Sequence, residues 1–184
     1  LAAPRSEGKK TKEISRSHKL IREKSGLITI IGGKWTTYRK MAQDTLDLAI
    51  RYMHIPTKDC ITERYQIHGS RKNPDFSDPL YVYGTDADEI RNLVASSPAM
   101  AEKLHPDYAY TVGEVTWLVR NEMPRTLEDV LARRLRILFL DARAAMAMAP
   151  KVAGILATEW GKDETWTSAQ VKAFNEVASN YILN

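Results

Sequence analysis

Helical patterns follow one another through the second half of the chain, and they constrain its fold more than any other feature. From Asp86 onward, apolar residues recur at the three- and four-residue spacing of amphipathic helices. Three pairs have the spacing of N-terminal capping boxes: Thr111 with Glu114, Thr126 with Asp129, and Thr167 with Gln170. We therefore predict an all-α unit over residues 80–184.

The sequence also indicates how far two helices of this unit extend. Thr126 opens a helix that continues through Phe139, and Asp141 caps an Ala- and Met-rich helix that reaches Trp160. Pro150 lies inside this last segment and is expected to kink or restart it, because proline removes a backbone hydrogen bond.

The first part of the chain has a different pattern. Residues 14–21 alternate imperfectly and residues 27–31 are apolar and β-branched, which predicts a hairpin around a Lys-Ser-Gly turn. A helix follows from Thr36 or Thr37 to about Arg51, and residues 61–68 have the pattern of a short strand. Residues 70–79 are rich in Pro, Asp and Ser, so we expect a connector between residues 1–69 and 80–184.

The candidate site is the Gly-Gly-Lys turn between the predicted strand over residues 27–31 and the helix that follows it. The first N–H groups of a helix lack intrahelical partners, and its positive dipole end favours an anion or an electron-rich oxygen. Gly32 and Gly33 would let a ligand approach the backbone, and Lys34 adds a positive charge. Physics alone leaves two interpretations open, a ligand site and a plain capped turn. Arg16 is likewise either a phosphate ligand or an ordinary exposed arginine.

Charge and composition argue against several classes of function. Residues 1–51 contain twelve Lys and Arg against five Asp and Glu, while the whole chain has a net charge of +4. This local excess suits a phosphate-bearing partner, but no nucleic-acid recognition pattern accompanies it, so we expect no nucleic-acid binding. The four histidines lack ligand spacing and Cys60 is the single cysteine, so we expect no metal site. The longest apolar run, residues 27–31, is far too short to span a bilayer.

Several segments together resemble a known family. Residues 14–18 (Ile-Ser-Arg-Ser-His) and 27–42, with the run Gly-Gly-Lys-Trp-Thr-Thr-Tyr-Arg-Lys, closely resemble the FAD-dependent, respiratory glycerol-3-phosphate dehydrogenases. Residues 83–85, 114–115 and 125–134 resemble the C-terminal helical domain of that family. The implied fold is mainly α, with a hairpin and helix left over from an FAD-binding α/β domain, followed by an all-α C-terminal helical domain.

The resemblance implies a function and roles for particular residues. The enzyme would oxidise glycerol 3-phosphate to dihydroxyacetone phosphate with FAD and pass the electrons to membrane quinone. Amides near Thr36 and Thr37 would face the flavin, Lys34 would be catalytic, and Arg16 would bind the substrate phosphate. The residues implied to bind the cofactor are Gly32, Gly33, Lys34, Trp35, Thr36 and Thr37.

The G-x-G-x-x-G motif that holds the dinucleotide in this family does not occur in the sequence. We therefore expect a C-terminal fragment that binds FAD weakly and is inactive alone. The full-length parent protein is expected to be cytoplasmic and to lie peripherally on the inner face of the membrane. A homodimer is one expected assembly. The alternative is a non-catalytic helical module that serves dimerisation or membrane docking.

Overall fold

A two-stranded antiparallel hairpin leads into a helix in the first part of the protein. A computed structural model describes residues 18–182, which divide into two units, residues 18–67 and 68–182. The first unit contains β1 (His18–Arg22), β2 (Ile28–Gly32), a 3₁₀ turn (Trp35–Thr37) and α1 (Tyr38–Met53). In the hairpin register His18 lies opposite Gly32. The expected hairpin and helix are confirmed, although residues 14–17 of the expected first strand lie outside the described residues.

The hairpin turn closes by backbone hydrogen bonds between Glu23 and Leu27 and between Gly26 and Glu23. Gly26 has a φ of 91°, which glycine adopts at little cost. None of residues 18–67 is buried, and large apolar side chains such as Leu27 and Leu46 are about three-fifths exposed, at 58% and 61%. The first unit therefore has secondary structure without an enclosed core.

The strand expected over residues 61–68 is wrong. These residues form turns, and Ile61, Tyr65 and Ile67 are mostly exposed. A β-branched and aromatic pattern makes a strand only where a neighbouring strand pairs with it, and within residues 18–182 β1 and β2 pair only with each other.

The second unit is mainly helical, and an isolated β-bridge joins Lys103 and Thr111. A 3₁₀ segment (Tyr81–Asp86) precedes the first helix, and a π-helical turn (Asp129–Arg134) follows the third. The helices are α2 (Ala87–Ala95), α3 (Pro98–Ala101), α4 (Val112–Asn121), α5 (Ile137–Leu140), α6 (Ala142–Trp160) and α7 (Glu164–Ser179). This confirms the mainly α fold.

One hydrophobic core holds the second unit together. Its fully buried members include Ile90, Leu118, Leu131, Met148 and Leu156, contributed by α2, α4, α6 and the π-helical turn. Each large apolar side chain that leaves water contributes roughly 1.5–3 kcal/mol to folding. No helix of residues 18–182 is long and apolar enough to cross a membrane.

The capping signals were good guides to where helices begin. The hydroxyl of Thr111 accepts the backbone N–H of Glu114 at 3.2 Å, and the carboxylate of Asp141 accepts that of Ala144 at 2.9 Å. Both helices therefore start where the sequence predicted.

Three helical expectations are corrected. The helix from Thr126 to Phe139 is broken, because Arg136 adopts a left-handed φ of 61° between the π-helical turn and α5. Pro150 does not restart α6, which continues to Trp160. The last helix begins at Glu164, since the carboxylate of Asp163 accepts the N–H of Trp166 at 2.8 Å.

Candidate functional site

Two consecutive glycines turn the chain from β2 toward α1. Gly32 and Gly33 have φ values of 83° and 82°, in the region that glycine alone enters without strain. A Cβ on Gly33 would overlap the sulfur of Met41, so α1 packs directly on the turn. The backbone is thus held in a shape that other residues would not permit.

The turn closes through Lys34 and Thr37. The Lys34 N–H donates to the Thr37 hydroxyl oxygen at 3.0 Å, and this hydroxyl donates to the Lys34 carbonyl at 3.0 Å. The Thr37 N–H donates to the same carbonyl, also at 3.0 Å. Thr37 is therefore the residue that shapes the start of the helix.

This pattern of bonds separates the amides that donate within the turn from those that do not. Trp35 and Thr36 are the first two residues of the 3₁₀ turn, so their N–H groups have no acceptor within it. The Thr37 amide already donates to the Lys34 carbonyl, and the role expected for the amides near Thr36 and Thr37 stays a prediction. The available donors are at Trp35 and Thr36.

An open groove of about 640 Å³ runs along β2, the glycine turn and one face of α1. Its walls include Ile30, Tyr38, Met41 and Leu46. Trp35 is 88% exposed at this groove, and its ring lies 6.0 Å from that of Tyr38 between centroids. The groove is largely apolar, and Lys34 adds a positive charge to its lining.

Three polar side chains, those of His18, Lys40 and Asp44, tie the first strand to the helix. The Nε2 atom of His18 lies 2.9 Å from a carboxylate oxygen of Asp44, and the Lys40 ammonium lies 2.8 Å from the other oxygen. The hydrogen bond from Lys40, opposed by some desolvation, holds the pKa of Asp44 below its usual value. Because His18 is the register partner of Gly32, this bond fixes β1 beside the glycine turn.

The structure brings the predicted cofactor residues together in one turn. Lys34 and Thr36 are exposed and Thr37 is half-buried beside them. Arg16, the predicted substrate residue, lies outside the described residues. No group of three metal-ligating side chains occurs within residues 18–182.

The sequence did not predict the role of two features of the site. The apolar face of α1 was recognised by its helical spacing, but Tyr38, Met41 and Leu46 line the open groove instead of a core. Asp44 was missed because its partner His18 is 26 residues away, and no local pattern signals such a pair.

Together these elements define a class of protein in which a hairpin, a double-glycine turn and a helix precede a helical domain in the chain. The family model for the C-terminal domain of alpha-glycerophosphate oxidase matches residues 27–167. The chain belongs to this family, and the resemblance seen in the sequence is confirmed.

Individual relatives agree with this assignment. A probable mitochondrial glycerol-3-phosphate dehydrogenase of Caenorhabditis elegans is 34% identical over 95% of this chain and 26% of its own length. The corresponding protein of Dictyostelium discoideum is 34% identical over 95% of this chain and 29% of its own length. The mitochondrial glycerol-3-phosphate dehydrogenase of Mesocricetus auratus is 30% identical over 94% of this chain and 26% of its own length. The chain thus spans between a quarter and a third of the length of these relatives.

Proposed function

We propose that this chain is the C-terminal part of an FAD-dependent glycerol-3-phosphate dehydrogenase. The observation that carries the proposal is the turn from Gly32 to Thr37, with two free amides and Lys34 beside an apolar groove. The relatives, which are named as glycerol-3-phosphate dehydrogenases, support the substrate and the reaction class.

The residues of the turn fit the flavin end of FAD. A flavin is planar and apolar with oxygen and nitrogen acceptors at one edge, so it suits a groove with apolar walls and N–H donors at one end. The amides of Trp35 and Thr36 would donate to that edge, at the positive end of the helix. Gly32 and Gly33 leave the backbone accessible from the same side.

FAD, when bound, would supply the oxidant, taking the hydride from C2 of glycerol 3-phosphate while the C2 hydroxyl releases its proton to solvent, so that the product is dihydroxyacetone phosphate. Lys34 would hold a positive charge next to the flavin edge and the substrate, where it stabilises negative charge that develops there. Thr37 fixes the backbone of Lys34 through the reciprocal hydrogen bonds at 3.0 Å. Lys34 is accordingly the residue that we assign to catalysis.

The remaining assignments extend the same proposal. Arg16 would bind the substrate phosphate, because a guanidinium matches phosphate oxygens in a bidentate geometry. Quinone as the electron acceptor and peripheral attachment of a cytoplasmic enzyme to the inner face of the membrane follow from the resemblance to the respiratory enzymes. A homodimer stays a prediction, as does a docking role for the helical unit.

The chain alone is proposed to bind FAD weakly and to be inactive. The first unit has no buried residue, and Leu27 and Leu46 expose most of their apolar surface. Such a surface is expected to pack against further strands and helices of a larger domain. The chain covers a quarter to a third of its relatives, which is consistent with that missing partner.

The test uses the natural protein that contains this chain together with its upstream sequence. We expect it to be purified with a flavin absorption band at about 450 nm that bleaches when glycerol 3-phosphate is added without oxygen. Glycerol and inorganic phosphate, added separately, serve as controls that should not bleach it. A colourless protein that cannot be loaded with FAD would contradict the proposal.

A further inference from the structure

A second cavity, of about 570 Å³, lies in the helical unit. It forms where the end of α4 and the segment after it meet the corner between α6 and α7. Its apolar walls are Val119, Met123 and Pro124 together with Trp160 and Trp166. None of its lining residues belongs to the turn assigned to FAD.

Two tryptophans supply the aromatic part of this cavity. The rings of Trp160 and Trp166 meet edge to face, with centroids 5.7 Å apart and planes at 78°. Both are partly exposed. Among the described residues, neither indole N–H donates a hydrogen bond to the protein, whereas that of Trp117 donates to Glu89 at 3.0 Å. Both tryptophans of the lining therefore keep an indole N–H that is not used by another described residue.

Two cations, Arg125 and Lys162, lie on the same lining. Both are exposed, and neither forms an ion pair within residues 18–182. Three carboxylates close to the lining in the sequence have other partners: Glu122 pairs with Arg134, Asp129 accepts the Arg125 and Thr126 backbone N–H groups, and Asp163 caps α7. No acidic side chain of the described part of the chain belongs to the cavity lining.

We propose that this cavity binds a small organic anion with a flat apolar body, of the class of the aromatic carboxylates. Every polar side-chain group of the lining is a donor: two indole N–H groups, a guanidinium and an ammonium. A ligand that satisfies them must be rich in acceptors, and a carboxylate matches a guanidinium in a bidentate geometry. The tryptophan rings suit an aromatic body, which packs edge to face or in an offset stack.

The volume agrees with this class of ligand. Small-molecule sites occupy roughly 300–1,000 Å³ and combine apolar walls with a few convergent polar groups. A ligand of about ten heavy atoms is expected to bind with a Kd on the order of 1 mM, given ordinary ligand efficiencies. The proposal is independent of the flavin assignment, because it uses other residues in the other unit.

The test compares three probes of nearly the same shape on the 184-residue chain. Phenylacetate is the anion, phenylacetamide its neutral counterpart and phenethylammonium the cation. The readout is the chemical shift of the four indole N–H groups in a nitrogen-15 spectrum. We expect phenylacetate to shift the Trp160 and Trp166 signals saturably, while that of the buried Trp117 stays in place. Equal binding of the amide or the cation would overturn the proposal.

A pair of variants separates specific recognition from general charge. In the double variant Arg125→Gln and Lys162→Gln, phenylacetate should bind at least about tenfold more weakly, because both charge-assisted contacts are lost. The control double variant Arg143→Gln and Lys172→Gln removes the same net charge from exposed positions elsewhere and should bind as the unaltered chain does. The proposal is wrong if the two double variants bind phenylacetate equally.

Discussion

His18 and Asp44 lie 2.9 Å apart between Nε2 and Oδ2, and this contact ties β1 to α1 beside Gly32. It is the polar counterpart of the contact between Gly33 and Met41 on the same turn. The shape of the candidate site therefore depends on a carboxylate that does not line its groove.

The first prediction concerns Asp44→Asn. Loss of the charge removes the ion pair with Lys40 and weakens the bond to His18, so the Gly32 and Gly33 amide signals should shift in a nitrogen-15 NMR spectrum. Asp47→Asn, one turn further along α1 and exposed, is the matched control and should leave both signals unchanged. Unchanged glycine signals in Asp44→Asn would show that the turn holds its shape without this carboxylate.

The contribution of Asp44 also has a defined pH dependence. Its folded-state pKa is lowered, first by the Lys40 hydrogen bond, so its stabilising effect is present above the ordinary aspartate pKa. The effect is lost as the pH falls through the lowered folded value. In an acid titration followed by circular dichroism, the difference between the unaltered chain and Asp44→Asn should therefore disappear at the acid end.

Glu114 should behave in the opposite way. It is 4% exposed, and burial raises its pKa although the Tyr83 hydroxyl, 2.6 Å away, and the Thr111 backbone oppose the shift. The folded state holds this proton more tightly than the unfolded state, so stability falls as the pH rises from the ordinary glutamate pKa through the raised folded value.

Glu114→Gln tests this statement because an amide oxygen can still accept the Tyr83 hydroxyl. In urea unfolding, the variant should gain stability relative to the unaltered chain as the pH rises from acid to neutral. Glu176→Gln, an exposed glutamate on α7, should show no such gain. Parallel pH profiles for the unaltered chain and Glu114→Gln would contradict the assigned cause.

Two glycines of the helical unit make a matched pair. Gly84 has a φ of 56°, and a Cβ there would overlap the carbonyl oxygen of Gly69. Gly154 lies inside α6 with nothing within 4 Å of an added Cβ. Gly84→Ala should lower the unfolding free energy by about 3 kcal/mol or more, whereas Gly154→Ala should raise it by roughly 0.5–1 kcal/mol. Denaturant unfolding of both variants checks the signs.

Arg136 is the residue that breaks the expected helix, and its left-handed φ of 61° carries strain. Glycine enters this region freely, so Arg136→Gly is expected to stabilise the unit by about 1 kcal/mol. Arg136→Ala keeps the strain and serves as the control. The same unfolding midpoint for the two variants would mean that the backbone at this position is not strained.

Local signals were sufficient for much of this fold. The caps at Thr111 and Asp141 depend on residues three positions apart, and the double-glycine turn before α1 is a local pattern as well. The break at Arg136 and the absent strand over residues 61–68 depend on tertiary packing and on strand partners, which a sequence pattern does not contain.

In the candidate site, too, the local features could be predicted from the sequence and the long-range contacts could not. The turn from Gly32 to Thr37 could be predicted, since all its bonds are local. The contact between His18 and Asp44 joins residues that are distant in the sequence, and the free amides at Trp35 and Thr36 became clear only from the bonds of Thr37.

The most direct measurement is the rate at which glycerol 3-phosphate reduces the bound flavin in the upstream-extended protein, without oxygen, for Lys34→Gln and Lys24→Gln. Lys24 lies in the hairpin turn and provides the control of equal charge. Removal of a charge next to the reacting centre should slow reduction by about a hundredfold or more in Lys34→Gln and leave Lys24→Gln unchanged. Equal reduction rates in the two variants would contradict the placement of Lys34 at the flavin.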